Sequence, residues 1–274
     1  MSAAPDRVVP VLRVEAGARS FVDDRVVAEE PLEIRVAGEP LAVTMRTPGH
    51  DRELALGFLF GEGLVRGASE VASLAHCGRP GDEGWGNVID VTLVGGVHVD
   101  ARDPDAPFAR RGTITAACGV CGRRSIDDLL ARVVPALPAA PPALTLLDRA
   151  ASVLRQGLPL FVATGGCHAA ALVEPGGALR AAFEDVGRHN AVDKLVGAML
   201  LEGSVPLRGC VLAVSGRTSF EIVQKAAVAG VAAVVGLSAP SSLAVDLARR
   251  AGLMLAGFAR AGRLGIYAGE PVPE

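Results

Sequence analysis

The amino-acid sequence predicts an α/β protein with a smaller α+β part at its amino terminus. From about residue 145 onward, short apolar runs alternate with segments of helical periodicity, the pattern of strands and helices in turn. Before that point, apolar runs are joined by glycine turns, which is typical of hairpins. Residues 134–142 contain four prolines, which neither a helix nor a central strand tolerates. We therefore predict domains over residues 1–134 and 145–274, joined by a linker over residues 135–144.

The amino-terminal part is predicted to contain two hairpins and one helix. Each hairpin consists of two apolar runs that flank a glycine turn: residues 34–36 with 41–45, and residues 88–94 with 97–99. Between the hairpins, a helix is expected from about Asp51, with Leu54, Phe58 and Leu59 on one face and Gly61 near its end.

The carboxy-terminal part is predicted to alternate between strands and helices. The strands are expected over residues 160–163, 169–173, 179–183, 210–214, 231–235 and 253–258. The helices are expected to begin near Thr145, Asn190, Thr218 and Ser242, and in the first three an acidic residue follows at capping-box spacing. Because loops at the carboxyl ends of strands converge on the ligand crevice of such sheets, loops 164–168, 215–218 and 258–263 should share one edge.

Composition and charge exclude several classes of protein. A formal net charge of −3 argues against general nucleic-acid binding, which needs a basic excess. The first ten residues lack the apolar stretch of a secretory signal, and the longest low-polarity run, residues 226–239, is too short to span a membrane. We therefore expect a cytoplasmic protein with neither nucleic-acid nor membrane partners.

The sharpest chemical signal is the C-x-x-C motif Cys118-Gly119-Val120-Cys121. Ser125 and Asp128 suggest a capping box just after it, and the partial positive charge of a helix amino terminus favours a thiolate. A thiolate is the nucleophile that attacks the sulfur of a persulfide or disulfide. A zinc knuckle, a thioredoxin-like redox pair and a pair of inert cysteines remain alternatives.

Two loops carry candidate anion-binding residues. Ser215, Gly216 and Arg217 precede a predicted helix, where backbone N–H groups and an arginine can cradle a phosphate. The second loop, a tight turn with two arginines whose forked donors suit phosphates, comprises Phe258, Ala259, Arg260, Ala261, Gly262 and Arg263. Either loop could instead be an ordinary surface turn.

Two histidines complete the candidate binding site. His189 ends the charged segment 184–189, which could orient a guanine edge or a phosphate, or could be a turn satisfied by its own salt bridges. His168 follows Cys167 and is expected to hydrogen-bond in the crevice. The pair faintly resembles zinc-deaminase ligands, but the H-x-E and P-C-x-x-C elements are missing, and we predict no metal site.

Taken together and in order, the motifs resemble the formate dehydrogenase accessory sulfurtransferases, the FdhD family. The likeness covers nearly the whole chain. Each motif alone is a weak signal, but the occurrence of all of them in this order is highly specific. The motifs are L-G-F and G-E-G at 56–63, C-G-V-C-G at 118–122, T-G-G-C-H-A-A-A at 164–171, E-D-V-G-R-H-N with D-K at 184–194, S-G-R with F-E and Q-K at 215–225, and residues 257–263.

The resemblance implies a defined task. Such proteins accept sulfur from a cysteine desulfurase and pass it to molybdenum bis(molybdopterin guanine dinucleotide). This transfer enables formate dehydrogenase activity. It further implies that Cys118 carries the persulfide, that Cys121 assists, and that residues 258–263 bind the cofactor, for which GDP or a related guanine nucleotide would be a mimic. It also implies a homodimer and a three-layer carboxy-terminal domain similar to cytidine deaminase.

Two other classes of function remain open at the level of sequence. A non-catalytic chaperone could bind the molybdenum cofactor and hand it on without carrying sulfur, so that Cys118 would be dispensable. A zinc-dependent hydrolase on a deaminase-like fold would instead contain stoichiometric zinc.

Overall fold

The computed structural model describes residues 4–79, 85–95, 114–115 and 141–272. The strands are β1 (Asp6–Glu15), β2 (Ala18–Val27), β3 (Glu30–Val36), β4 (Glu39–Arg46), β5 (Val71–His76), β6 (Val88–Leu93), β7 (Ile114–Thr115), β8 (His168–Val173), β9 (Leu179–Asp185), β10 (Val211–Val214), β11 (Ala233–Gly236), β12 (Met254–Arg260) and β13 (Arg263–Ala268). The α-helices are α1 (Asp51–Glu62), α2 (Leu144–Arg155), α3 (Pro159–Thr164), α4 (Arg188–Leu201), α5 (Phe220–Ala229) and α6 (Ser242–Ala251).

The carboxy-terminal part is built on a six-stranded sheet in the order β13-β12-β11-β10-β8-β9. Strands β10, β11 and β12 run parallel and are joined through α5 and α6, while β8, β9 and β13 pair antiparallel. Because side chains alternate along a strand, Ala169 and Ala171 of β8 pack in a cluster with α2, and Ala170 and Leu172 pack in a cluster with α4. Helices thus cover both faces of the sheet, and the predicted α/β class is confirmed.

The amino-terminal part contributes a five-stranded sheet, in the order β5-β6-β3-β4-β7, and helix α1. Helix α1 packs closely along α4. One hydrophobic cluster runs through both parts, since Ile34 and Leu54 belong to the same buried group as Leu195 and Leu212. Within the described residues, the helix–helix contact therefore joins the two halves of the chain through a shared core.

The strand predicted over residues 160–163 is wrong, because this segment forms helix α3. Pro159 occupies the first turn, where its missing N–H costs no hydrogen bond, and Gly165 ends the helix with a φ of 64°. The carboxylate of Glu184 accepts hydrogen bonds from the backbone N–H groups of Leu160 (2.9 Å) and Phe161 (2.7 Å). A short apolar run does not by itself distinguish a strand from a helix.

Three helices begin within two residues of their predicted starts, but the capping boxes predicted for them are wrong. Helices α2, α4 and α5 are preceded by Ala143, Gly187 and Ser219, and none of these residues makes a side-chain capping bond. The acidic residues assigned to capping boxes bind basic side chains instead, since Asp148 contacts Arg155, Asp193 contacts Lys225 and Glu221 contacts His189. The fourth helix begins at Ser242 as predicted, with Ser241 as its cap.

Most other elements agree with their predictions. The hairpin β3–β4, the helix beginning at Asp51, the hairpin β8–β9 and the strands β6, β10, β11 and β12 lie where they were expected, within a few residues. The ribbon β1–β2 and strand β5 were not predicted. Residues 97–99, the capping box at Ser125 and Asp128, and most of the linker lie outside the described residues. None of the helices that the structure describes has the length and apolarity of a transmembrane segment.

Candidate functional site

The three predicted loops meet at one edge of the six-stranded sheet, as expected. Strand β8 begins at His168 and runs antiparallel to β10, which ends at Val214, so residues 164–168 and 215–217 adjoin. The backbone N–H of Ser215 donates to the carbonyl of Ala169 at 3.0 Å, and the Ser215 hydroxyl accepts from the N–H of Ala169 at 2.9 Å. The parallel strand β12 brings residues 258–263 to the same edge.

His189 fixes the start of helix α5 at this edge. Its Nε2 lies 2.8 Å from a carboxylate oxygen of Glu221 and 3.1 Å from the hydroxyl of Ser219. Ser219 is the residue that precedes α5, and its side chain makes no capping bond to the helix. His189 therefore anchors the first turn of α5, which directly follows the loop Ser215–Arg217.

His168 and Arg188 flank the glycine of that loop. A Cβ at Gly216 would lie 3.1 Å from Nδ1 of His168 and 3.4 Å from Cδ of Arg188, so glycine allows the loop to lie against both. Burial lowers the pKa of His168, and the positive charge of Arg188 and the proximity of His189 lower it further, so its ring is neutral at pH 7. Nε of Arg188 is buried and has no hydrogen-bond partner among the described residues.

Arg188 was not predicted as a site residue. It stands beside His189 in the charged segment 184–189. The high density of charged residues in that segment was the sequence feature that could have identified it. Arg188 contacts the loop around Gly216, which is far from it in the sequence. The spacing of residues along the chain could therefore not predict this contact.

The second arginine loop is a hairpin turn between β12 and β13. Arg260 and Arg263 pair across the turn, and both are exposed, as is Arg217 on the neighbouring loop. A guanidinium nitrogen of Arg260 also donates to the carbonyl of Leu237 at 2.6 Å, which ties this turn to the loop after β11.

The remaining residues of this loop differ in their accessibility. Phe258 is half exposed, with a φ of 52° that a non-glycine residue seldom adopts. Ala259 is completely buried in the cluster with α2, so only its backbone could meet a ligand. Ala261 is exposed, and Gly262 has a φ of 66° in the turn.

Much of the charged segment 184–194 is structural. The fully buried carboxylate of Asp185 binds Nζ of Lys194 at 2.7 Å and accepts hydrogen bonds from the backbone of Thr47 and Gly187 and the amide of Asn190. Asp185 is thus satisfied by the folded protein, but through Thr47, Asn190 and Lys194, which lie outside residues 184–189, and not by salt bridges within the turn itself.

The same polar residues attach the amino-terminal part to the site. The Asn190 amide donates to the carbonyl of Met45 at 2.8 Å, and Nζ of Lys194 donates to the carbonyl of Thr47 at 2.8 Å. On helix α5, the Gln224 amide donates to the carbonyl of Gly61 at 3.0 Å. The end of β4 is therefore held next to the first turn of α4, which carries Arg188 and His189.

Cys167 is a buried thiol at the margin of the site. Its Sγ lies 3.4 Å from a carboxylate oxygen of Glu184, to which the thiol donates. Burial raises the pKa of Cys167 to about 12, with a further contribution from the negative charge of Glu184. Cys167 is therefore protonated at neutral pH and is a poor nucleophile. Cys118 and Cys121 lie outside the described residues.

A cleft of about 480 Å³ opens on the side of β9, away from the predicted residues. Its walls come from the base of the β1–β2 ribbon, loop residues Thr47, Pro48 and His50, helix α3 and strand β9. None of the predicted site residues that the structure describes lines it. Within the described part of the chain, no group of three or more His, Cys, Asp or Glu side chains is arranged to hold a metal ion.

Comparison with known proteins supports the resemblance seen in the sequence. The FdhD/NarQ family model matches residues 27–272. A sulfur carrier protein FdhD from Anaeromyxobacter dehalogenans is 53% identical over 255 residues, which cover 90% of this chain and 88% of that protein. A protein of the same name from Streptomyces avermitilis is 47% identical, covering 95% and 93% of the two chains.

A solved structure shows the same fold. The crystal structure of a protein from Desulfotalea psychrophila, described as a formate dehydrogenase accessory protein, superposes with a TM-score of 0.74 over 96% of this chain and 97% of that one, at 24% identity. The chain is thus a mixed α/β protein with a histidine- and arginine-bearing sheet edge. It belongs to the FdhD/NarQ family.

Proposed function

We propose that this protein is a cytoplasmic sulfur carrier for formate dehydrogenase. It accepts sulfur from a cysteine desulfurase as a persulfide on Cys118 and delivers it to molybdenum bis(molybdopterin guanine dinucleotide), which the catalytic subunit of formate dehydrogenase then uses. The observation that carries the proposal is the C-x-x-C at 118–121 in a chain whose relatives are named sulfur carrier proteins.

Chain connectivity brings Thr115, the last described residue before Cys118, to strand β4, whose end adjoins Arg188 and His189. Thr115 of β7 pairs with Val43 of β4, and Cys118 follows three residues later. Three residues of chain span at most about 11 Å. The end of β4 is bonded through Met45 to Asn190, beside Arg188 and His189.

Loading is a transfer of sulfane sulfur. The Cys118 thiolate attacks the outer sulfur of the desulfurase persulfide, the sulfur–sulfur bond in the donor breaks, and the desulfurase leaves as a thiolate. Cys118 then carries the persulfide, and no external oxidant or reductant is consumed.

Release of that sulfur as sulfide requires two electrons. The Cys121 thiolate can supply them by attacking Sγ of Cys118, which forms a Cys118–Cys121 disulfide and frees hydrosulfide for the molybdenum centre. A reductant of the thiol class must then restore both thiols before the next cycle. Cys167 is unsuited to either step, because its thiol is protonated and held by Glu184.

The sheet edge supplies the groups that a guanine dinucleotide needs. Arg217, Arg260 and Arg263 are exposed there, and guanidinium forks match the oxygens of a pyrophosphate. Backbone N–H groups at the start of α5 add donors for the same charge. Neutral His168 and the exposed ring of Phe258 are available for the polar edge and the face of a guanine base.

Peptide mass mapping after incubation with a cysteine desulfurase and free cysteine tests the sulfur-carrying step. We expect a reducible extra sulfur on Cys118 that depends on the desulfurase and disappears in Cys118→Ala. Cys167→Ala is the matched control and should load as the parent protein does. Unmodified Cys118 and Cys121, with the desulfurase active on another acceptor, would reject the carrier role and favour a cofactor chaperone.

Titration with GDP tests the binding step separately. Replacing both Arg260 and Arg263 by alanine should raise the Kd at least about tenfold, since each lost charge-assisted contact is worth roughly 1.5 kcal/mol or more. Sulfur loading should not change. The control removes two exposed arginines elsewhere, Arg52 and Arg66. Equal GDP affinity in the two double variants would refute the assignment of the phosphate-binding arginines.

A further inference from the structure

Arg188 is a partly buried cation that has no partner among the described residues. Its Nε is buried without a hydrogen bond, and no carboxylate in that part of the chain forms an ion pair with its guanidinium. Two acidic side chains of this region are already bound, since Asp185 pairs with Lys194 at 2.7 Å and Glu221 pairs with His189 at 2.8 Å. A buried charge without a partner is costly, so Arg188 requires an anion from another source.

The surroundings of Arg188 add to this positive charge. Arg188 is the first residue of α4, and the first turn of that helix contains no acidic residue. A cation is unfavourable there, because the unpaired N–H groups of a helix amino terminus carry partial positive charge. The loop around Gly216, which lies against Arg188, carries the further charge of Arg217. A small anion bound beside Arg188 would offset all of these charges.

His168, Arg188 and Gly216, which we call the arginine cluster, lie apart from the arginines of the hairpin turn. His168 begins β8 and Arg260 ends β12, and strands β10 and β11 lie between them in the sheet. Three spacings between neighbouring strands amount to about 14 Å. Thr115, the last described residue before Cys118, pairs with β4, whose end adjoins the first turn of α4. The sheet edge therefore has a position for phosphates at one side and a separate cationic position on the side of β4.

The donors of the arginine cluster suit a small monoanion better than a phosphate. Arginine recognises phosphate through two parallel N–H donors of its fork, whereas the group that is buried and unbonded here is the single Nε–H of Arg188. His168 is neutral at pH 7, so it adds a hydrogen-bonding nitrogen without a second full charge. Hydrosulfide is a monoanion with one acceptor atom, and near neutral pH it can exchange a proton with an imidazole.

We propose that the arginine cluster holds hydrosulfide between its release from cysteine and its delivery to the metal. The proposal rests on the sulfur-carrier function proposed above. When the Cys121 thiolate attacks Sγ of Cys118, the sulfur–sulfur bond of the persulfide breaks, and the outer sulfur leaves with the bonding electron pair as hydrosulfide. Hydrosulfide then accepts a hydrogen bond from Nε of Arg188 beside His168, a binding step in which no electrons are exchanged.

NMR of the histidine side chains tests hydrosulfide binding in the full-length protein. Sodium hydrosulfide is added at mildly alkaline pH, where hydrosulfide is the main form, with a phosphine that keeps the thiols reduced. The ring signal of His168 should shift saturably, while that of His50, which is exposed and outside the cluster, should not move. Arg188→Gln should raise the Kd at least about tenfold, because a charge-assisted hydrogen bond is lost.

Two further variants separate the cluster from general effects of charge. Arg188→Lys keeps the positive charge and should recover part of the affinity for hydrosulfide. Arg52→Gln removes an exposed arginine elsewhere and should leave the Kd unchanged. The melting temperature of Arg188→Gln should equal or exceed that of the parent protein, because the variant removes an unpaired cation.

A pH titration of the His168 ring signal checks the geometry of the cluster without any ligand. Burial lowers the pKa of His168, and the charge of Arg188 lowers it further, so Arg188→Gln should raise this pKa. The other titratable neighbours of His168, which are His189 and Asp185, are the same in both proteins. An unchanged pKa would show that Arg188 does not lie beside His168 and would reject the cluster.

Several other outcomes would overturn the inference. They are a His168 signal that hydrosulfide does not shift, equal Kd values for the parent protein and Arg188→Gln, and a lower melting temperature of that variant, which would indicate a carboxylate partner within the chain. Displacement of hydrosulfide by a lower concentration of orthophosphate would reassign the cluster to phosphate. Normal loading of Cys118 without hydrosulfide binding rejects this inference alone, whereas hydrosulfide binding without loading rejects the carrier function and with it the role of the cluster in transfer.

Discussion

At the scale of single residues, burial decides which cysteine can act as a nucleophile. Cys167 follows a glycine pair in a loop at the site. In the structure its side chain is buried and its Sγ lies against the carboxylate of Glu184. Both features oppose a thiolate, so the residue serves packing rather than sulfur chemistry. Only the contact with Glu184, which lies on strand β9, reveals this.

The pKa of Cys167 makes a direct prediction about its reactivity. With a pKa near 12, the thiolate fraction at pH 8 is roughly a thousandfold smaller than for an ordinary thiol. Alkylation by iodoacetamide, followed by peptide mass mapping, should therefore be slow at pH 8 and should accelerate as pH rises toward 11. Glu184→Gln removes a negative charge and should raise the rate at pH 8 at least about threefold. A Cys167 rate equal to that of glutathione at pH 8 would contradict the assigned environment.

At the scale of elements, two glycines allow α1 and α4 to approach closely. A Cβ at Gly197 would overlap the backbone carbonyl of Glu53, and one at Gly57 would overlap the backbone carbonyl of Asp193. Both glycines lie inside helices, where glycine costs roughly 1 kcal/mol relative to alanine. The sequence shows this cost in helix propensity. It does not show the close helix packing that compensates for it, because the partner helix lies more than a hundred residues away.

Gly197→Ala should therefore destabilise the protein, although alanine has a higher helix propensity than glycine. The obstructing atoms are backbone, so α1 must shift, and overpacking of this kind typically costs about 1 to 3 kcal/mol. Urea unfolding followed by circular dichroism measures the change. The control is Gly176→Ala, in an open turn with nothing within 4 Å of the added Cβ, which should stay within about 0.5 kcal/mol of the parent. A Gly197→Ala midpoint equal to that control would reject close packing of the two helices.

At the scale of the whole molecule, buried polar contacts join the two halves of the chain to one another. Asp185, Asn190 and Lys194 bind backbone and side-chain groups at residues 44–47, and the Gln224 amide donates to the carbonyl of Gly61 at 3.0 Å. Burial of such charges is tolerated when each is paired and hydrogen-bonded, and removal of one partner is costly. Motifs that suggested ligand binding therefore divide into two groups: Asp185 and Lys194 hold the fold, whereas Arg188 and His189 reach the sheet edge.

The sequence by itself determined the α/β class, most strands and helices, and the membership of a family. These follow from local periodicity, from glycine turns and from motifs in a fixed order, all of which are properties of neighbouring residues. Only the tertiary structure decided that residues 159–164 form a helix and that Cys167 is a protonated thiol. It also decided that both carboxylate oxygens of Asp185 are bound by groups of the protein itself. Each of these depends on a partner distant in sequence, and burial, hydrogen bonding and charge pairing arise only when the folded chain brings such partners into contact.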